Sequence, residues 1–204
     1  MADMPQKKYT AMQFPHLKGL KGISDDVLAS HFKLYEGYVN RTNKLTETLS
    51  GMATKGEAAG TNPMYAEMTR RLGFEYNGVV LHEYYFGNLK AGGSGATPPA
   101  KLKKAMEESF GSFETWLADF KAISTMPGVG WAVTFQDPRT GWLSNHWITL
   151  HETNNIAGFK PIIVMDAWEH AFVPDYKANE RAKYVDAYFS NVDYEAAEAR
   201  LNVK

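Results

Sequence analysis

The chain has 204 residues, enough for one large domain or two small ones sharing a core. Its net charge of −1 gives no whole-chain case for nucleic acid or an anionic membrane, and 44% hydrophobic with 22% charged residues is ordinary globular composition. It has no cysteine, which excludes disulfides, thiolate metal sites, iron–sulfur clusters and cysteine nucleophiles.

Residues 1–22 read as an irregular arm without an apolar run of signal-peptide length. No run anywhere is long enough to span a bilayer, so the expectation is a soluble, cytoplasmic protein. Ser24 reads as a helix N-cap, with Asp25 and Asp26 in the first turn, where the helix dipole favours negative charge. Val27, Leu28, His31, Leu34, Tyr35, Tyr38 and Val39 then recur at helical spacing, and the helix is expected to reach about Leu49. "SGMATKGEAAG" reads as a loop, and a second helix is predicted from Asn62 to about Lys90 with a break near Gly73. The Gly- and Pro-dense segment 91–99 is a connection. Two further helices follow, in "AKLKKAMEESF" and "FETWLADFKAI". Beyond them "GWAVTFQD" and "WLSNHWITL" are β-rich runs separated by the hairpin signal "PRTG", and "KPIIVMD" is a third strand. "KANERAKYVDAYF" and "DYEAAEARL" close the chain as helices. The plan is an all-helical first half and an α+β second half.

Three of the six histidines sit among apolar or aromatic residues: His31, His82 and His170. A single histidine on such a face is ordinarily a hydrogen-bonded core residue. That reading weakens when several elements each bring one close to an acid. Asp166 and His170 are four apart, so a helical turn at the end of the third strand would put both side chains on one side. A buried Asp is costly unless paired or metal-bound. A carboxylate with imidazoles and no thiolate favours iron, manganese or zinc. Spacing alone leaves a metal site and a structural Asp–His pair both open.

"MDAWEHAF" closely resembles the D-x-W-E-H-A-[FY] signature of iron/manganese superoxide dismutases. "HFKLYEGYVNRTN" and "LHEYYFGNL" are similar to that family's two ligand helices, "SFGSFETW" and "GVGWAV" to its S-F-G-S-F and G-S-G-W segments, and "NVDYEAAEARL" to its closing helix. The matches fall in family order. The resemblance implies an arm and helical hairpin domain over residues 1–92, then an α/β domain over 98–204 around a three-stranded antiparallel sheet. It implies one iron or manganese ion per subunit, held by His31, His82, Asp166 and His170 with a solvent molecule as fifth ligand. It implies an antioxidant oxidoreductase: the ion alternates between trivalent and divalent states, converting superoxide to dioxygen and hydrogen peroxide. Trp131, Trp168 and residues Tyr84 to Phe86 would wall the site, and Tyr38 matches the family's gateway tyrosine for proton delivery.

Three departures from the family pattern stand out. The interval from His31 to Tyr38 is seven, whereas most members have eight, which suits a helix with a one-residue π-bulge; this helix is expected to lack it. The polar pair that many members form across the dimer interface has Leu34 or Tyr35 on one side and Phe172 on the other. Glu169 matches the family's acid that crosses to the ligand histidine of a partner subunit, so a homodimer or dimer of dimers is expected. Finally, Gly78 stands where some members place a Gln that donates to the bound solvent. The resemblance puts His151 in the place of a replacement donor, as in some members, and Gly78 is expected to make room for it. His16 and His146 match nothing catalytic. A second class of reading keeps the four ligands in a metal-binding relative without turnover. A third, a non-haem iron oxygenase or zinc hydrolase, is disfavoured by the fourth protein ligand.

Overall fold

The computed structural model describes residues 8–202; the first seven residues of the predicted arm and the last two of the predicted second domain lie outside them. Residues 8–22 carry no helix or strand. Helix α1 spans Asp25–Thr54, and the Ser24 hydroxyl accepts from Val27 N–H at 3.2 Å, satisfying one orphan donor of the first turn. Ser24→Ala is therefore expected to cost about 1 kcal/mol in urea unfolding. No loss at all would show that the cap contributes nothing.

α1 continues past Leu49 because residues 50–54 hold helical geometry up to the cap at Lys55. Helix α2 spans Pro63–Phe86, capped by Asn62, with Pro63 at the first helical position, where its missing N–H costs nothing. The predicted break at Gly73 does not occur. A Cβ there would meet nothing within 4 Å, so that glycine marks open surface and not a turn. α2 stops at Phe86, short of Lys90. The helices run antiparallel: Tyr35 O–H donates to Glu83, and Arg41 to Glu75. Both buried stripes carry a site residue, His31 and Tyr38 on α1, Gly78 and His82 on α2.

Helices α3 (Ala100–Phe110) and α4 (Phe113–Ser124) lead into strands β1 (Gly130–Gln136), β2 (Leu143–Thr149) and β3 (Lys160–Asp166). They form one antiparallel sheet in the order β2-β1-β3. β1 is central and fully buried. β3 is an edge strand, yet its last five residues, Ile162 to Asp166, are buried. α2 covers it, and the side chain of Asn88, just beyond α2, accepts from Val164 N–H at 2.9 Å. Arg200 donates to both Asn88 and the Ile162 carbonyl, so the edge has no free row of donors and acceptors at that point. Helices α5 (Arg181–Phe189) and α6 (Tyr194–Glu198) close the fold. The architecture is α+β: a helical N-terminal region followed by a region built on a three-stranded antiparallel sheet.

Candidate metal centre

The site forms where α1, α2 and the end of β3 meet. Asp166 is the last residue of β3 and pairs in register with Trp131 of β1. Trp168 is extended, and a short 3-10 turn, Glu169–Ala171, follows. That turn brings His170 back so that its Nε2 lies 3.0 Å from Asp166 Oδ2. His31 Nε2 lies 3.0 Å from the same oxygen, and His82 Nε2 3.8 Å. The other carboxylate oxygen, Oδ1, accepts from Trp168 N–H at 2.8 Å, which aims Oδ2 into the cluster.

Four side chains, from α1, α2, β3 and the 3-10 turn that follows it, thus place one donor atom each within 4.8 Å of one another. Donors about 2.1 Å from a common ion lie about 3.0 Å apart at right angles and about 4.2 Å apart when opposed. The three carboxylate-to-imidazole distances fall in that span. The His82 Nδ1–H donates to the Gly78 carbonyl at 2.5 Å, so its Nε2 carries the lone pair. That buried Nε2 has no hydrogen-bond partner among the described residues, and a cation would satisfy it. Burial holds the His31 imidazole below its ordinary pKa, against the raising effect of Asp166, and drives His82 well below. Burial by itself would raise the Asp166 carboxyl, but the facing imidazoles of His170 and His31 outweigh it and hold the acid ionised. Three imidazoles with one carboxylate and no thiolate fit a first-row ion.

Rings wall the cluster. His31 packs against Phe86 (centroids 4.9 Å) and Tyr85 (5.2 Å), His82 against Trp131 (4.9 Å), and Trp168 stacks on His170 (5.7 Å). Tyr84 does not join the wall; its ring lies under the Arg200 guanidinium instead. Glu169 is exposed. Leu34 is exposed too, whereas Tyr35 is buried and bonded to Glu83, and Phe172 is buried against Tyr184, so these positions hold no polar pair. His16 is exposed, and His146 bonds Ser144 on β2, both away from the cluster.

Beside the cluster runs a hydrogen-bond chain. Trp131 Nε1–H donates to His151 Nδ1 at 2.9 Å. An indole only donates, so His151 carries its proton on Nε2, which donates to Tyr38 Oη at 2.8 Å. This revises two expectations. The donor of His151 goes to Tyr38, not into the cluster. The space left by Gly78 is taken by the Tyr38 ring: a Cβ there would lie 2.8 Å from Tyr38 Cγ. The physical reason is the helix. α1 is unbroken α from His31 to Tyr38, without a π-bulge, and the seven-residue interval lays the phenol across Gly78 and against His82. Burial and the Asp166 charge push the phenol up to about 12, so it stays protonated and retains its own O–H to donate.

His151 reaches this position through Leu150, which has φ 55, a left-handed conformation costly for a non-glycine residue. The turn exposes Leu150 and buries His151 completely. Nothing in the sequence signalled it. Burial pushes the His151 imidazole down to about 4, whereas an unfolded histidine titrates near 6.5. Between those values the unfolded chain binds more protons, so stability falls as pH drops through that window and is level above it. Urea unfolding of metal-free protein from pH 7 to 4 should show that fall, reduced in His151→Gln. An equal fall in both proteins would refute the assignment.

The family model for iron/manganese superoxide dismutases, C-terminal domain, matches residues 98–200. The superoxide dismutase [Fe] of Aquifex pyrophilus is 38% identical over 191 residues, covering 91% of this chain and 88% of its own. That of Saccharolobus solfataricus is 34% identical over 200 residues, covering 96% and 94%. The superoxide dismutase [Mn] 2 of Haloferax volcanii is 32% identical over 194 residues, covering 95% and 90%. With similarity running through both halves and four donors converging where they meet, the chain belongs to the iron/manganese superoxide dismutase family.

Proposed function

We propose that this protein is a superoxide dismutase: two superoxide anions and two protons become one dioxygen and one hydrogen peroxide at a single iron or manganese ion per subunit. The convergence of His31, His82, Asp166 and His170 carries this reading. The bound ion supplies the one-electron exchange. The chain supplies the rest. Asp166 is the only anionic donor, and the three imidazoles are neutral, so the donor set suits an ion that changes charge by one. The Gly78 carbonyl and Trp168 N–H orient His82 and Asp166, as outer partners of metal ligands do. Tyr38, whose ring packs on His82, is the proton donor to the site, and Trp131 and His151 fix its orientation from behind. The ring wall keeps the dielectric low and admits only small species.

The relatives named for iron and for manganese both match this chain over most of its length, so each metal is tested separately. Protein reconstituted with each ion should dismute superoxide in a pulse-radiolysis assay, and metal-free protein should not. Full metal occupancy without turnover would leave a binding relative and end the enzymatic reading.

The working unit is a homodimer or dimer of dimers, its two-domain subunit dividing near residues 92–98. Glu169 is exposed one residue before a metal ligand, and Val173 nearby is an exposed hydrophobe, as a subunit contact would require. No helix among the described residues is long and apolar enough to cross a membrane. Light scattering should give at least twice the monomer mass, and Glu169→Ala should weaken association. A monomeric wild-type protein would remove this part.

A further inference from the structure

Glu75 of α2 is a buried acid outside the metal cluster, its side chain 1% exposed. Two guanidiniums hold it. Arg41 of α1 donates to Oε2 at 2.8 Å and Arg71 of α2 to Oε1 at 2.7 Å. Both arginines stay about half exposed, at 50% and 48%. Each lies over a ring that backs the site. The Arg41 guanidinium sits 4.6 Å from the centroid of Tyr38, and that of Arg71 4.1 Å from the centroid of Phe74. Tyr38 in turn packs against His82 (5.2 Å) and Phe74 against His151 (4.5 Å).

A clasp between two helices needs one cation for one buried carboxylate. Here there are two, so the triad keeps a net positive charge, exposed on the outer faces of the Tyr38 and Phe74 rings. The chain as a whole carries −1 and gives an approaching anion no attraction from a distance. A local positive focus beside low-dielectric walls raises the encounter rate of a small anion, and more so at low salt.

We infer that Arg41 and Arg71, set in place by Glu75, form the anion port through which substrate reaches the metal past Tyr38 and Phe74. This rests on the dismutase reading, in which the substrate is a small monovalent anion and the product hydrogen peroxide is neutral. A positive mouth then draws substrate in and has no hold on the product. Arg41 and Arg71 act on encounter, and Glu75 is a positioning residue.

Azide is the probe, because its association with the metal-loaded protein is read optically by stopped flow and needs no turnover. In the wild type the association rate should fall as ionic strength rises. The triple variant R41Q/E75Q/R71Q replaces the ion triad by amides without stranding a buried charge. It should bind azide about tenfold more slowly at low salt, with no salt dependence. R41K/R71K keeps the charge and should keep the wild-type slope, which a purely structural role of the arginines would not predict. A wild-type rate indifferent to salt, or a triple variant with the wild-type slope, overturns the port. Loss of superoxide turnover in the wild type would sink the dismutase reading while leaving the azide result to stand on its own.

Discussion

Asp166→Asn is expected to give a folded protein that cannot retain its ion and has no measurable dismutation. The amide is nearly isosteric and its oxygen still accepts from Trp168 N–H, so the turn that carries His170 should survive. What disappears is the single negative charge at the centre of three imidazoles, each with its Nε2 within 3.8 Å of Asp166 Oδ2. Changing residues that merely support metal ligands costs about 10- to 100-fold in affinity, so loss of the anionic ligand should cost at least about 100-fold. Metal content after dialysis measures it. Ligand binding stabilises only the folded state, so the variant should melt like metal-free wild type whether or not metal is supplied. A variant that keeps a full equivalent of metal would show that the carboxylate is not a ligand.

Gly78→Ala is expected to reverse the usual sign of that substitution. Within a helix, alanine is better than glycine by about 1 kcal/mol. Here the new methyl would lie 2.8 Å from Tyr38 Cγ, at the root of the ring and not at a flexible tip. The ring cannot swing clear without moving α1, and such overpacking costs about 1–3 kcal/mol. The net should be a loss of up to about 2 kcal/mol, together with the Tyr38–His151 hydrogen bond. The decisive measurement is the same substitution in a Tyr38→Ala background. With the ring gone, Gly78→Ala should become stabilising by about 1 kcal/mol. If it is destabilising by the same amount in both backgrounds, the contact is not the cause.

These two positions show how differently a sequence exposes its parts. The spacing of Asp166 and His170 at the end of an apolar strand drew attention to them, and helical periodicity put His31 and His82 on buried stripes, but both patterns also fit core residues; the family resemblance is what joined the four as ligands. Every strand was recognisable from its β-rich run, since alternation and turn residues are local signals. Helix ends were less so: α1 runs through Ser50 and Gly51, residues that end other helices, because nothing there forces a turn. The role of Gly78 was out of reach, because it depends on which side chain of another helix lies opposite. The same holds for Glu75, an unremarkable acid in the sequence that becomes a buried one between Arg41 and Arg71. The approach of His151 depended on Leu150 adopting a backbone conformation that its residue type disfavours, and no pattern announces that.

The wide separation of the four donors along the chain sets the order of events at birth. His31 and Asp166 are 135 residues apart, so the pocket does not exist until the last strand has docked on the first helices. The ion cannot template early folding as it does in a small zinc finger. An ion bound there would be captured late, by a protein that is already nearly finished. Iron and manganese would then compete for the newly closed pocket, and their relative abundance in the surroundings at that moment would help decide which one is trapped.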